Sequence, residues 1–295
     1  MDKNDLNKLR EIVGYDNVSD DECELIAYGI DADLLVEVKP VAVVRPGSAE
    51  EVSELIKFAN QREIPITFWG GGTNVVGAHT SKKAILLDLT RLNKILEIDE
   101  ESMTVTTQAG ITWGKLVFEL EKEGWTTGPF LHSGTAASVG GSVALCGNAI
   151  TAAKYGLVGN QVVGLQVVLP NGKILRTGSG ANPRAKNFYR YAWASDLTGL
   201  FIGSHGIFGV ITEVTLKLYP LPEEKGFAGY VFKNLDSGTR ALYEIQKRRI
   251  PITAAYLKLG INDPSYKPEE SILSPISVEG TKEGKRQIRE NKTDM

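Results

Sequence analysis

Ten residues of this 295-residue chain have the composition of a ligand loop: Phe68-Trp-Gly-Gly-Gly-Thr-Asn-Val-Val-Gly77. Gly70, Gly71 and Gly72 have no Cβ, so the backbone is free to take positive φ and to lie close against a ligand. Successive N–H groups in such a turn converge into an anion-binding concavity, and Thr73 and Asn74 add short polar side chains. A diphosphate suits such a site. A glycine triplet alone is equally consistent with a plain surface loop, so the flanks matter. Ile64-Pro-Ile-Thr-Phe-Trp69 reads as a strand running into the loop, and Ala84-Ile-Leu-Leu-Asp88 as a strand after it. The lysine and spacing of a P-loop are missing. No helix pattern opens directly after the glycines, as a Gly-x-Gly-x-x-Gly dinucleotide fingerprint requires.

Two further stretches share this character. Gly128–Ala149 is dominated by small residues, which cannot fill a core but can lie flat against a planar ligand and offer N–H groups from several turns. A tight glycine-rich crossing between packed elements is the other reading of it. Asp196–Tyr219 runs from a short helix through Gly203 and Gly206 into an alternating strand, Val210 to Leu218.

At the first loop the chain resembles the flavoenzyme superfamily of vanillyl-alcohol oxidase and p-cresol methylhydroxylase, whose members have a PCMH-type FAD-binding domain. There the equivalent loop holds the FAD pyrophosphate, which the resemblance carries to Gly70, Gly71, Gly72, Thr73, Asn74 and Gly77. Some members have a histidine after the glycines that bonds to the flavin; Thr73-Asn74 stands in that place, which implies non-covalent FAD. The second stretch is similar to the family's second flavin-binding segment, so Ser133, Gly134, Thr135, Ser138, Gly140 and Gly141 are expected on the ribityl and isoalloxazine side. His132 departs from the acidic residue or proline often found there. The third stretch closely resembles the FAD subunit of glycolate oxidase and D-lactate dehydrogenase-like enzymes. Their Gly-Ser-Glu-Gly appears as Gly203-Ser204-His205-Gly206, and Gly209-Val210-Ile211-Thr212 matches a turn whose backbone approaches FAD. His205 is a departure, read as a packed or hydrogen-bonded histidine rather than a base.

The elements that must position these loops follow from periodicity. Residues 2–14 form an apolar helical stripe, and a short helix follows Ser19-Asp20, which can cap it. Val41–Val44 is a buried strand. Ser48 and Glu51 make a capping box opening a helix to about Arg62, with Val52, Leu55, Ile56 and Ala59 on one face. Strand, helix, strand and loop thus form a βαβ unit with the loop at a strand end, where open α/β sheets commonly bind ligands. Ile95–Ile98 and Met103–Thr107 pair; Thr112–Glu123 is a helix, with Trp113 and Trp125 as core and boundary aromatics. Gln161–Leu169 and Lys173–Arg176 form a hairpin at Asn171-Gly172, whose residues accept the positive φ of a type I′ turn. Ser179–Trp193 is a polar, aromatic loop that either is solvated or borders the flavin or a partner.

Composition is that of an ordinary globular protein, 42% apolar and 23% charged. The net charge of −3 gives no reason to expect nucleic acid or an anionic membrane. No apolar run spans a bilayer, and the N-terminus is too polar for a signal peptide. Cys23 and Cys146 are read as reduced, packed thiols of a cytoplasmic protein, and three histidines without ligand spacing argue against zinc.

The resemblance implies an α+β fold: a helical lead-in at 1–37, a PCMH-type FAD-binding domain of two α/β subdomains at 38–221, and the incomplete start of an α+β substrate (cap) domain at 222–295. In that last part Phe227–Phe232, Asp236–Arg249 and Ile252–Leu257 read as a βαβ piece, Ile276–Gly280 as a strand, and Thr281–Met295 as a polar tail. The chain therefore reads as a truncated gene product or as one completed by another polypeptide. The activity implied is oxidation of a 2-hydroxy acid such as glycolate or D-lactate to the 2-oxo acid by hydride transfer to flavin. Electrons would pass to a separate acceptor, an iron–sulfur subunit being the expected partner, since two cysteines hold no cluster. The catalytic residues are not assigned. The alternatives are a non-catalytic FAD module and UDP-N-acetylenolpyruvylglucosamine reductase. Phe232-Lys-Asn234 echoes the reductase, but Gly229-Tyr230-Val231 replaces its proton-donating serine.

Overall fold

The computed structural model describes residues 1–30, 38–75, 77, 83–191, 195–232, 234–250, 252–255, 257–259 and 271–280. Among them the chain builds two α/β layers and a third, smaller sheet. The first sheet has the order Val18–Ser19, Ala42–Val44, Ile85–Asp88, Ile66–Trp69, the last three parallel. Its two central strands, Ala42–Val44 and Ile85–Asp88, are buried on both faces, as parallel strands covered by helices must be. Ala42, Val44, Ile85 and Leu87 pack on helices Lys3–Val13 and Ala49–Arg62. Val43 and Leu86 face Leu25 of helix Glu22–Ala27, with Tyr28 and Trp69 alongside.

The capping signals resolve with small shifts. Ser48 Oγ accepts from Glu51 N at 3.1 Å, but the Glu51 carboxylate reaches past Ser48 to accept from Gly47 N at 2.7 Å. The second helix is capped by Asp21, which accepts from Glu24 N, rather than by Ser19 or Asp20.

The second sheet is antiparallel, in the order Ile95–Asp99, Thr104–Gln108, Val210–Lys217, Val162–Val168, Ile174–Arg176. Helices Trp113–Lys122 and Val139–Ala144 share its core, with Trp113, Leu116, Leu120, Val139 and Val143 packed among Val105, Leu165, Val167, Val214 and Leu216. The layers meet where Val168 and Val210 enter the first core. The hairpin differs from the type I′ expectation. Gly172 is at φ 80° and Asn171 is not at positive φ; Gly172 N–H donates to Leu169 O and Leu169 N–H to Lys173 O, both at 2.8 Å. Pro170 favours the first position of an ordinary turn, and the glycine supplies the left-handed residue of a three-residue loop.

The third sheet is in the order Glu224–Phe232, Ser271–Gly280, Leu257–Leu259, with both pairings antiparallel. Strand Ser271–Gly280 is thus inserted between the two strands joined by helix Leu235–Lys247, a split form of the expected βαβ unit. It begins five residues before the expected Ile276, and Pro275 lies in the register shift between Ala228 and Tyr230, where a missing N–H is tolerated. Ile252–Ala255, expected as a strand, lies before Leu257–Leu259 and outside it. The tail 281–295, like His79 and Trp193, is outside the described residues.

Candidate functional site

A cavity of ≈ 690 Å³ opens between the two layers, within the range of ~300–1,000 Å³ usual for ligand clefts. Three segments wall it: the glycine loop after strand Ile66–Trp69, the run Leu131–Asn148, and the 205–211 turn. Strand Ile66–Trp69 lies at the sheet edge beside Ile85–Asp88, so the loop leaves at the carboxyl end of the parallel strands.

Of the residues singled out in the sequence, Gly70, Gly71, Gly72, Thr73, Asn74, Ser133, Ser138, Gly140, Gly141, Gly209, Val210 and Ile211 line the cavity. Gly77, Gly134 and Thr135 do not. Gly134 O accepts from Gly114 N at 2.8 Å, so this turn holds the start of helix Trp113–Lys122 instead.

The glycines have a role the sequence does not show. A Cβ on Gly71 would overlap the Ala136 carbonyl oxygen, and one on Gly70 would overlap Ser138 Oγ. On Gly140 it would come 2.5 Å from Ala109 Cβ, and on Gly209 2.8 Å from Val168 O. Their absent side chains let these segments approach one another more closely than a Cβ would allow. Gly72 alone of the triplet takes positive φ, 63°.

The small-residue run folds further than its composition suggests. Val139–Ala144 is a helix, capped by Ser138 Oγ accepting from Gly141 N at 3.2 Å. Its last carbonyls are met from the third segment: Gly203 N donates to Val143 O at 3.1 Å and His205 N to Ala144 O at 2.9 Å. His205 reaches this bond at φ 54°, between Gly203 at 70° and Gly206 at 80°. The His205 backbone is thus a helix-end partner, while its imidazole is exposed on the cavity lining, as is His132.

Two polar clusters brace the site. Arg190 makes a fork on Asp196, Nε to Oδ1 at 3.1 Å and NH2 to Oδ2 at 2.7 Å, and its NH1 donates to Gly159 O at 2.9 Å. Asp196 in turn caps helix Leu197–Phe201 through Gly199 N at 2.9 Å. Hydrogen bonding from Arg190 holds the Asp196 carboxyl below its ordinary value, and the same bond raises the guanidinium. The polar loop before it is therefore tied down rather than loose, with Lys186 also 2.9 Å from Asp99. The second cluster lies at the carboxyl edge of the first sheet. Tyr28 OH donates to Asp88 Oδ2 at 2.6 Å, and burial first, then this bond, pushes the phenol up.

The cavity fits a dinucleotide. Among the described residues, Gly71, Gly72 and Thr73 have backbone N–H groups without a protein acceptor. Among the described residues the lining contains no Asp, Glu, Lys or Arg, so no described carboxylate there would repel a diphosphate. Sequence reasoning missed Trp69, Ala109, Leu131, Cys146 and Asn148 as lining residues. Position next to a glycine-rich stretch was the available signal for these, and for Tyr28 there was none.

A two-layer α+β domain with a glycine-rich, uncharged cleft at the parallel strand ends defines a nucleotide-cofactor protein, and comparison with known proteins narrows the class. Residues 40–178 match the FAD binding domain family, so this part of the chain is an FAD-binding domain of the PCMH type. It is 32% identical over 252 residues to glycolate oxidase subunit GlcD of Bacillus subtilis (strain 168), covering 85% of this chain and 52% of that one. It is 38% identical over 186 residues to the mitochondrial D-lactate dehydrogenase [cytochrome] of Arabidopsis thaliana, covering 62% and 31%. A Caenorhabditis elegans alkyldihydroxyacetonephosphate synthase is 34% identical over 229 residues, covering 76% and 37%. The chain thus spans about half or less of the length of these relatives. Solved structures share the fold: an alkyldihydroxyacetonephosphate synthase at TM-score 0.85 and 24% identity, with 100% of this chain on 59% of that one. p-Cresol methylhydroxylase with substrate bound follows at 0.84 and 20%, covering 100% and 64%. The cofactor is FAD. Among the described residues no helix is long and apolar enough to cross a membrane, and no three His, Cys, Asp or Glu gather as metal ligands.

Proposed function

We propose that this chain is the flavin-binding part of an FAD-dependent oxidoreductase that converts a 2-hydroxy acid, such as glycolate or D-lactate, to the 2-oxo acid. The names of the oxidase and dehydrogenase relatives support the reaction class, and the synthase among them is why the substrate remains a proposal. The observation that carries the reading is the cleft itself, whose described lining is uncharged, with N–H groups of Gly71, Gly72 and Thr73 that have no protein acceptor and two exposed imidazoles on its lining.

Bound FAD supplies a two-electron acceptor. The N–H groups of Gly71, Gly72 and Thr73 hold the diphosphate, and the small surface of Ala137, Gly140 and Gly141 admits a flat ring system. Thr73-Asn74, in place of a bonding histidine, leaves the cofactor non-covalent. His132 or His205 is within the cleft to take the substrate's hydroxyl proton. The described lining offers no cation for the substrate carboxylate, so that group comes from beyond this wall. The word subunit in the Bacillus relative's name supports a partner chain, and an iron–sulfur protein suits the electron-accepting role.

The test is anaerobic flavin bleaching. The chain alone is expected to retain FAD and to bleach with neither glycolate nor D-lactate at a useful rate. A chimera carrying the remaining length of the Bacillus subtilis relative is expected to bleach with one of them. An FAD-loaded chimera that bleaches with neither acid would favour a non-catalytic module, and bleaching by NADPH would favour the reductase.

A further inference from the structure

We infer that Tyr28, in a segment where the sequence carries no recognisable chemistry, is a positioning residue for the glycine loop and acts through Trp69. The inference rests on the reading that this loop holds the diphosphate. Trp69 ends its strand and lines the cavity, and the glycine loop sits on its indole. A Cβ on Gly72 would overlap Trp69 Cζ2 and lie 3.0 Å from Cε2. The position of Gly72, and with it the aim of the N–H groups of Gly71 to Thr73, is therefore set by where that ring lies.

The same ring packs against Tyr28. The two aromatic centroids are 5.0 Å apart with planes at 66°, the edge-to-face arrangement that ring quadrupoles favour. Tyr28 is fixed in turn by its hydroxyl, which donates to Asp88 Oδ2 at 2.6 Å. Asp88 is only 3% exposed and stands opposite Trp69 in the parallel ladder. Arg45 completes the network, with Nε 3.5 Å from Asp88 Oδ2 and an ion pair to Glu24, on the helix that leads into Tyr28. Glycine loop, indole, phenol and carboxylate thus form one connected chain of contacts at the carboxyl edge of the sheet. Hydrogen bonds weaken steeply with angle, so a small rotation of the indole misaims donors that a diphosphate needs together.

The experiment compares the full-length wild type with Tyr28→Leu and Tyr28→Phe, titrating each with FAD, ADP and riboflavin. Urea unfolding of the apo-protein is measured alongside. Tyr28→Leu is expected to weaken FAD and ADP together by about tenfold, with riboflavin changed less than about twofold. Tyr28→Phe, which keeps the ring and loses the Asp88 bond, is expected to weaken both by about threefold. If the leucine variant does not fold, the phenylalanine variant decides. FAD and ADP affinities equal to wild type would overturn the inference, however much stability is lost, because a purely structural role moves only the unfolding midpoint. An equal loss for riboflavin would also overturn it. Wild-type protein that binds riboflavin but not ADP would defeat the diphosphate reading itself; wild-type ADP binding with unaltered variants defeats only the role of Tyr28.

Discussion

Gly71→Ala separates two ways in which a glycine can serve a cofactor site. If Gly71 were small only to let the diphosphate approach, a methyl group there would leave the apo-protein as stable as before. It could even raise stability by about 0.4–1 kcal/mol, by restricting the unfolded chain. The structure places something else in the way. The added Cβ would overlap the Ala136 carbonyl oxygen, 2.7 Å from its carbon and 3.1 Å from Ala137 Cα. These are backbone atoms with no rotamer to change, so one wall must move, at a cost of about 1–3 kcal/mol typical of overpacking. Both Gly71 and Ala137 line the cavity, so the movement reaches the proposed FAD site. If the whole strain must be overcome to restore the bound geometry, FAD affinity falls by about 5–150-fold. Gly147→Ala is the stability control, since its Cβ would meet only ordinary contacts at 3.5 Å and beyond, and its apo-protein should stay within about 0.5 kcal/mol of wild type. Urea unfolding of the apo-proteins and flavin fluorescence titration read the two effects separately. An apo Gly71→Ala protein with an unchanged or higher urea midpoint would refute the wall-to-wall argument.

Flavin is expected in the supernatant after acid or heat precipitation, and flavin that stays with the chain through denaturing electrophoresis would contradict the role given to Thr73-Asn74. Asp196→Asn should lower stability at neutral pH by about 1–2 kcal/mol, since a charge-assisted fork with a half-buried arginine is lost. The Asp196 carboxyl is held below its ordinary value, so its contribution is present above the unfolded value of about 3.9 and lost as pH falls through the lower folded one. The gap between the two urea midpoints should accordingly close as pH drops below about 4, and a gap that persists at lower pH would remove Arg190 as the cause.

What the sequence determined by itself is local. The helix Ala49–Arg62 and its buried face, the strand entering the glycine loop and the alternating strand Val210–Lys217 all stand close to where periodicity puts them. A period of 3.6 or 2 and a cap three residues away are properties of neighbours in the chain. The same locality explains the near misses. Glu51 chose Gly47 N over Ser48 N, and Asn171-Gly172 chose a three-residue loop because Pro170 precedes it. The short helix Val139–Ala144 was hidden because glycines weaken intrinsic propensity, and it forms where Ser138 caps it and Gly203 and His205 meet its far end. Three glycine-rich stretches wall the cleft, but only folding decided that Gly71 meets Ala136, that Gly134 serves a helix end, and that Trp69 packs against both Gly72 and Tyr28. Tyr28 and Asp88 are 60 residues apart, and no spacing rule links them. Such contacts are set by how two sheets and their covering helices pack, because close packing leaves each wall of the cleft one neighbour to fit against.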